Sequence, residues 1–166
     1  ANWKYGNYGN GKFVLVADTL SGGYTGSFIY SSDDGATWGT GTSQVTTISG
    51  LITSPPVYGN KWVVMVWFPT SANNSFYQST DGINWTSLYV GGAVVNSGEH
   101  SLAYNSIIDR WITVNGSGTP WISTTNAGTA WTDISTNMGR NSSSMYVEKI
   151  ISSGNYFIAP LRVDFP

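Results

Sequence analysis

Phe28-Ile-Tyr-Ser-Ser-Asp-Asp-Gly-Ala-Thr-Trp38 carries the strongest local signal for chain architecture. An aromatic and β-branched run enters it, as a strand requires. Asp34-Gly35 then supplies the positive φ that a tight hairpin turn demands, and Trp38 closes the motif. The same order of residue types returns as Phe76-Tyr-Gln-Ser-Thr-Asp-Gly-Ile-Asn-Trp85 and as Trp121-Ile-Ser-Thr-Thr-Asn-Ala-Gly-Thr-Ala-Trp131. The closing tryptophans Trp38, Trp85 and Trp131 lie 47 and 46 residues apart.

A second landmark shares that period. It reads Tyr8-Gly-Asn-Gly-Lys-Phe-Val-Leu-Val16, Tyr58-Gly-Asn-Lys-Trp-Val-Val-Met-Val66, Tyr104-Asn-Ser-Ile-Ile-Asp-Arg-Trp-Ile-Thr-Val114 and Ser153-Gly-Asn-Tyr-Phe-Ile-Ala159. Each is a Gly/Asn turn followed by an aromatic and an apolar run. The aromatics Phe13, Trp62, Trp111 and Tyr156 are spaced 49, 49 and 45. Lys12, Lys61 and Arg110 precede the first three. Two independent landmarks on one period predict an all-β array of four-stranded antiparallel units, the pattern of a β-propeller blade. The expected divisions are about 3–48, 51–96, 99–140 and a partial unit 144–166, roughly three and a half copies in one domain. In the partial unit, strands are expected near Val147–Ser152 and Tyr156–Pro160.

The strand-turn-Trp element resembles the Asp-box, or BNR-type, repeat of sialidase-like propellers. The first copy carries the pattern at Ser31, Asp33, Gly35, Thr37 and Trp38, and the second at Ser79, Asp81, Gly82 and Trp85. The third is looser, with Thr124, Asn126, Gly128 and Trp131. The second copy, with its Tyr-Gly-Asn turn upstream, is similar to repeats of bacterial and phage surface proteins. Read from their chemistry, these residues are a folding device. Short polar side chains satisfy turn amides that no strand pairs, glycine takes the left-handed position, and tryptophan plugs the gap between neighbouring sheets.

Composition narrows the function. Charged residues are 10% of the chain, against a usual value of about 25%. The 7 Lys and Arg are scattered and the net charge is −2, so no basic patch for nucleic acid is expected. No apolar run approaches the ~18 residues of a membrane span, and no leader is apparent. With 8 Trp and 10 Tyr the chain does not read as disordered. It has no cysteine. No metal or other cofactor is expected.

Enzyme chemistry finds little material. The sialidase resemblance implies three arginines gripping a sugar carboxylate, a Tyr–Glu nucleophile and an acidic Asp. The arginines here are Arg110, Arg140 and Arg162, and Arg110 occupies the surface position of Lys12 and Lys61, so no catalytic residue transfers. The acids outside the turn motifs show no pairing suited to glycoside hydrolysis. His100 is the single histidine, short of a triad or a zinc set. The expected role is a non-catalytic structural or adhesion module of a virion or extracellular surface, such as a phage tail, fibre or capsid-decorating protein. Its partners would be other copies of itself, other surface proteins, or a host glycan. A free-standing lectin-like propeller is the alternative, and a degenerate glycosidase the next. Aromatic candidates for sugar contact are Tyr24, Trp67, Tyr89 and Trp121, with Trp62 and Trp67 on opposite faces of their strand. The half copy implies a small ring, an arc closed by a second chain, or part of a longer propeller. Exposed sheet faces favour the assembly reading.

Overall fold

The structure is a computed structural model that describes residues 2–17, 19–20, 28–43, 50–67, 75–89, 101–114, 119–135, 145–147 and 149–163. None of the described residues is helical. The first repeat contributes β1 (Trp3–Gly9), β2 (Lys12–Ala17), β3 (Thr19–Leu20), β4 (Phe28–Ser31), β5 (Gly39–Thr40) and β6 (Thr42–Ser43). The second contributes β7 (Gly50–Ile52), β8 (Val57–Tyr58), β9 (Trp62–Trp67), β10 (Ser75–Ser79) and β11 (Asn84–Tyr89). The third contributes β12 (Ser101–Asn105), β13 (Arg110–Val114), β14 (Pro120–Ser123) and β15 (Trp131–Asp133). Two short pairs follow: β16 (Met145–Val147) with β19 (Leu161–Val163), and β17 (Ile151–Ser153) with β18 (Tyr156–Ile158).

The chain is therefore all-β. The first and third repeats each form a four-stranded antiparallel sheet, ordered β1-β2-β4-β5 and β12-β13-β14-β15. The middle sheet is not made by its own repeat alone. Its order is β3-β7-β9-β10-β11-β6, so two-residue strands of the first repeat cap both its edges, and β6 pairs with β11 in parallel. β8 also pairs with β9. This strand exchange covers backbone edges that a self-contained unit would leave open.

Hairpin register repeats across turns of different length. Tyr8 faces Phe13, Tyr58 faces Trp62 and Tyr104 faces Trp111. The paired rings sit 4.8, 5.2 and 4.8 Å apart and are tilted by 53°, 59° and 49°. Such edge-on contacts add stability beyond the area they bury.

The cores lie between consecutive sheets. Val14, Val16 and Phe28 of the first sheet meet Trp62, Val64, Val66, Tyr77 and Trp85 of the second. Val63, Met65 and Phe76 on the other face of the second meet Leu102 and Trp111 of the third. Ile112 and Val114 then meet Val147 and Ile150. β9 is buried on both faces, which is why Trp62-Val-Val-Met-Val66 reads as one unbroken apolar run. Alternation sends Trp62 to one core and Trp67 to the edge of the next.

The closing tryptophans bind successive sheets. Trp85 stacks on Phe28 of the preceding sheet at 4.3 Å and 13°, and Trp131 stacks on Phe76 at 4.9 Å and 3°. Trp38 follows no described sheet and is 43% exposed. The last hairpin departs from the sequence alignment. Tyr156, placed by spacing with Phe13, Trp62 and Trp111, is 73% exposed, while Phe157 packs against the third core. The Gly154-Asn155 turn is one residue shorter than Gly59-Asn60-Lys61. Tyr156 still pairs with Ser153 as Trp62 pairs with Tyr58, so it is the whole hairpin that shows its other face: Ile151, Tyr156 and Ile158 turn outward together and Phe157 turns in.

Candidate functional site

The leading strand of each repeat lies beside that of the next: β1 beside β8, β8 beside β12, and β12 beside β17. Side chains clip these strands together across the repeat period. Asn7 Nδ2 donates to the Pro56 carbonyl at 3.0 Å. Asn105 Nδ2 donates to the Gly154 carbonyl at 2.9 Å, and Ser101 Oγ accepts from the Ile150 amide at 2.8 Å. Residues near the four leading strands frame a cleft of about 500 Å³. It is lined by Tyr5 and Asn7, by Pro55 and Val57, by Ser101–Tyr104, and by Lys149–Ser152.

Its chemistry is mixed. Tyr5 and Tyr104 contribute rings, Asn7, Ser101 and Ser152 contribute amide and hydroxyl groups, and Lys149 contributes an exposed ammonium. Tyr104 donates its hydroxyl proton to the Asp109 carboxylate. Burial, and then that carboxylate, push Tyr104 up to about 12, so it is a protonated donor at neutral pH rather than a nucleophile. Asp109 is held below the usual carboxylate range by Tyr104 first and then by Asn126, which donates to it at 2.8 Å. A cleft with rings, short polar groups and one cation suits a flat, hydroxyl-rich ligand.

The Asp-box residues lie at the turns between the third and fourth strands and bond inward to their own loops. Ser31 Oγ donates to Asp33 at 2.7 Å and accepts the Gly35 amide at 2.9 Å. Asp33 accepts the Thr37 amide at 2.9 Å. In the second repeat Ser79 donates to Asp81 and accepts the Gly82 amide, while Asp81 accepts the Ile83 and Asn84 amides, all at 2.8–2.9 Å. Gly82 has a φ of +75° and sits against Trp62 and Val14, so neither the conformation nor the space admits a larger side chain comfortably. In the third repeat the buried hydroxyl at the position of Ser31 and Ser79 belongs to Ser123, which accepts the Trp111 amide at 2.8 Å. Thr124 is exposed one residue further on, and Asn126 reaches instead to Asp109. Trp38, Trp85 and Trp131 each donate Nε1 to a carbonyl of their own turn, at Gly35, Gly82 and Gly128.

These bonds carry a pH signature. Thr37's hydroxyl, then its amide, then Ser31 hold Asp33 down at about 2, against an ordinary 3.8. Burial works to raise Asp81, but the amides of Asn84 and Ile83 with the side chains of Asn84 and Ser79 outweigh it and hold it low. A carboxylate depressed in the folded state stabilises the fold above its unfolded pKa and ceases to do so as pH falls through the folded one. Stability is therefore expected to decline as pH drops from 3.8 towards about 2. Urea midpoints between pH 6 and pH 2 test this (~1 pH unit steps suffice). Asp33→Asn should show a shallower decline; an unchanged slope would remove Asp33 from the account.

Of the sequence candidates for sugar contact, the two whose side chains are described, Trp67 and Trp121, do not line the cleft. Trp67 is half-buried and packs against the second core. Trp121 packs there too, with its Nε1 buried and no hydrogen-bond partner among the described residues. Tyr89 ends β11 opposite Ser75, and its side chain lies outside the described residues, as do Tyr24, His100 and Arg140. The residues that line the cleft instead come from segments preceding each Gly/Asn turn. Their sequence signal was position within the repeat rather than residue type, since a leading strand recurs before every such turn. Among the described residues no group of three or more His, Asp or Glu is placed to hold a metal ion. The chain matches no protein-family model and no curated protein.

Proposed function

We propose that the chain is a non-catalytic module of a virion or extracellular surface, an arc of propeller-type units whose central cleft holds a short glycan. The observation that carries this reading is the cleft itself, built from residues about one repeat apart such as Tyr5, Val57, Ala103 and Ile151. Leading strands set side by side, as β1, β8, β12 and β17 are, would line the central opening of a propeller-type fold. Tyr5, half-buried in the cleft wall, offers ring surface, and Asn7, Ser101 and Ser152 offer hydrogen bonds that adapt to hydroxyl patterns. Lys149 would favour a sugar carrying a carboxylate or sulfate. The low charge and the Asn/Gly/Ser-rich turns agree with a surface role, and that part rests on resemblance of the repeat alone.

A glycan array followed by calorimetric titration of the best binder tests the proposal. Tyr5→Ala is expected to weaken binding by about two- to tenfold, the range for losing an aromatic contact. Lys149→Met is expected to weaken acidic glycans and spare neutral ones. The stoichiometry should be one glycan per chain. Several equivalent sites per chain would transfer the reading to a lectin with one site in each unit. Binding untouched by both substitutions would exclude the cleft.

A further inference from the structure

Two of the three junctions between successive sheets are built on one pattern, and half of that pattern recurs on the first sheet with no described residue opposite. At each of these two junctions the later sheet presents a tyrosine, a second aromatic and its closing tryptophan to the earlier one. Tyr58 lies against Gly9 and Tyr104 against Gly59, so closely that a Cβ on either glycine would fall 2.4 or 2.3 Å from ring-bearing atoms. Trp62 and Trp111 are buried beside them. Trp85 and Trp131 then stack on Phe28 and Phe76. The first sheet carries the same trio as Tyr8, Phe13 and Trp38. Tyr8 keeps the tilted contact with Phe13, and Trp38 keeps its bond to Gly35. Yet Tyr8 is 54% and Trp38 43% exposed, where Trp85 is 1%.

At the opposite end of the stack the described residues leave an apolar surface exposed. The last hairpin turns Phe157 inward and leaves Ile151, Tyr156 and Ile158 outward, 47%, 73% and 49% exposed. Its turn glycine, Gly154, holds the sequence position of Gly9 and Gly59, the glycines that seat a tyrosine, though at a φ of +54°, and no described atom lies within 4 Å of its Cβ position.

We propose that the first-sheet face of Tyr8, Phe13 and Trp38 docks the terminal hairpin of a second copy of this chain, continuing the stack head to tail. Tyr8 of one copy then sits on Gly154 of the other, and Trp38 covers the outward apolar side chains. The occupant is another copy because the chain's own internal junctions are the template for the contact, and its other end supplies the missing half. The two surfaces differ, so the contact is heterologous. Two copies closing on each other give a ring, and unclosed addition gives a filament. This goes beyond the glycan reading and does not depend on it.

Analytical ultracentrifugation of the whole chain tests the proposal. The wild type is expected to be a dimer or larger. Trp38→Arg and Ile158→Lys change exposed positions at opposite ends, and each alone is expected to weaken self-association at least about tenfold while circular dichroism stays that of the folded chain. Mixing the two variants should restore a one-to-one complex, because one intact junction remains between an unaltered hairpin and an unaltered first face. A monomeric wild type overturns the proposal. So does a Trp38→Arg chain that assembles like the wild type. Two variants that are each monomeric and do not pair on mixing overturn the head-to-tail geometry. If one variant fails to fold, Tyr8→Lys replaces Trp38→Arg, or Tyr156→Lys replaces Ile158→Lys, with the same expectations.

Discussion

Trp85→Ala is expected to destabilise the chain by about 3–5 kcal/mol, the range for truncating a fully buried large aromatic. Trp38→Ala should cost about 1 kcal/mol or less in the monomer, the usual effect of a mostly surface change. Both tryptophans close the same motif and donate Nε1 to the turn glycine's carbonyl, at 3.0 Å for Trp38 and 3.2 Å for Trp85. What differs is the neighbour. Trp85 is stacked on Phe28 and is 1% exposed; Trp38 is 43% exposed. Removing the Trp85 ring leaves a cavity between the first and second sheets that rigid β-structure on both sides cannot collapse into. Domains have total stabilities of about 5–15 kcal/mol, so the Trp85 variant should be marginal. Urea unfolding followed by circular dichroism measures both, at concentrations where the wild type is monomeric. Equal losses at the two positions would mean that the stacking between sheets contributes nothing beyond the local turn.

Gly59→Ala is the second large effect, about 2–3 kcal/mol, from overpacking the junction between the second and third sheets. A Cβ there would lie 2.3 Å from Tyr104 Cγ and 2.4 Å from its Cδ1. The ring cannot swing aside freely. Its hydroxyl is bonded to Asp109, and its face is held by Trp111 at 4.8 Å. The steric origin predicts strong coupling. In a Tyr104→Ala background, Gly59→Ala should cost less than about 1 kcal/mol, a departure from additivity of the size seen for residues in contact. Gly11→Ala is the control, with a φ of +69° and open space around the Cβ position. Its cost should be confined to backbone strain, about 1–2 kcal/mol, and should be the same with or without Tyr104. Additive losses for Gly59→Ala and Tyr104→Ala would show that the two sheets can separate slightly at no expense.

Much of the architecture was legible because it is local. Tyr8-Gly-Asn and Tyr58-Gly-Asn announce their hairpins, and the alternation in Trp62–Trp67 assigns side chains to two faces before any sheet is assembled. Ser79, Asp81 and Gly82 close a hydrogen-bonded turn from within a few residues of chain, so composition and spacing suffice to find it. The cleft was not legible in that way. Tyr5, Ala103 and Lys149 carry no motif, and they share a site because three inter-sheet junctions bring their strands to one place. Trp67 and Trp121 look like sugar platforms along the chain, yet both pack against the core between the second and third sheets.

The repeat, the strand-and-turn pattern of each unit and the all-β class can be read along the chain, since they follow from backbone sterics and hydrogen bonds that act over a few residues. That Trp85 is buried and Trp38 is not, that Phe157 rather than Tyr156 faces inward, and that β3 and β6 complete a neighbour's sheet are outcomes of how the sheets assemble. Burial is a property of what stands opposite a residue. In a stack of near-identical units, what stands opposite depends on position in the array, which no single copy of the motif records.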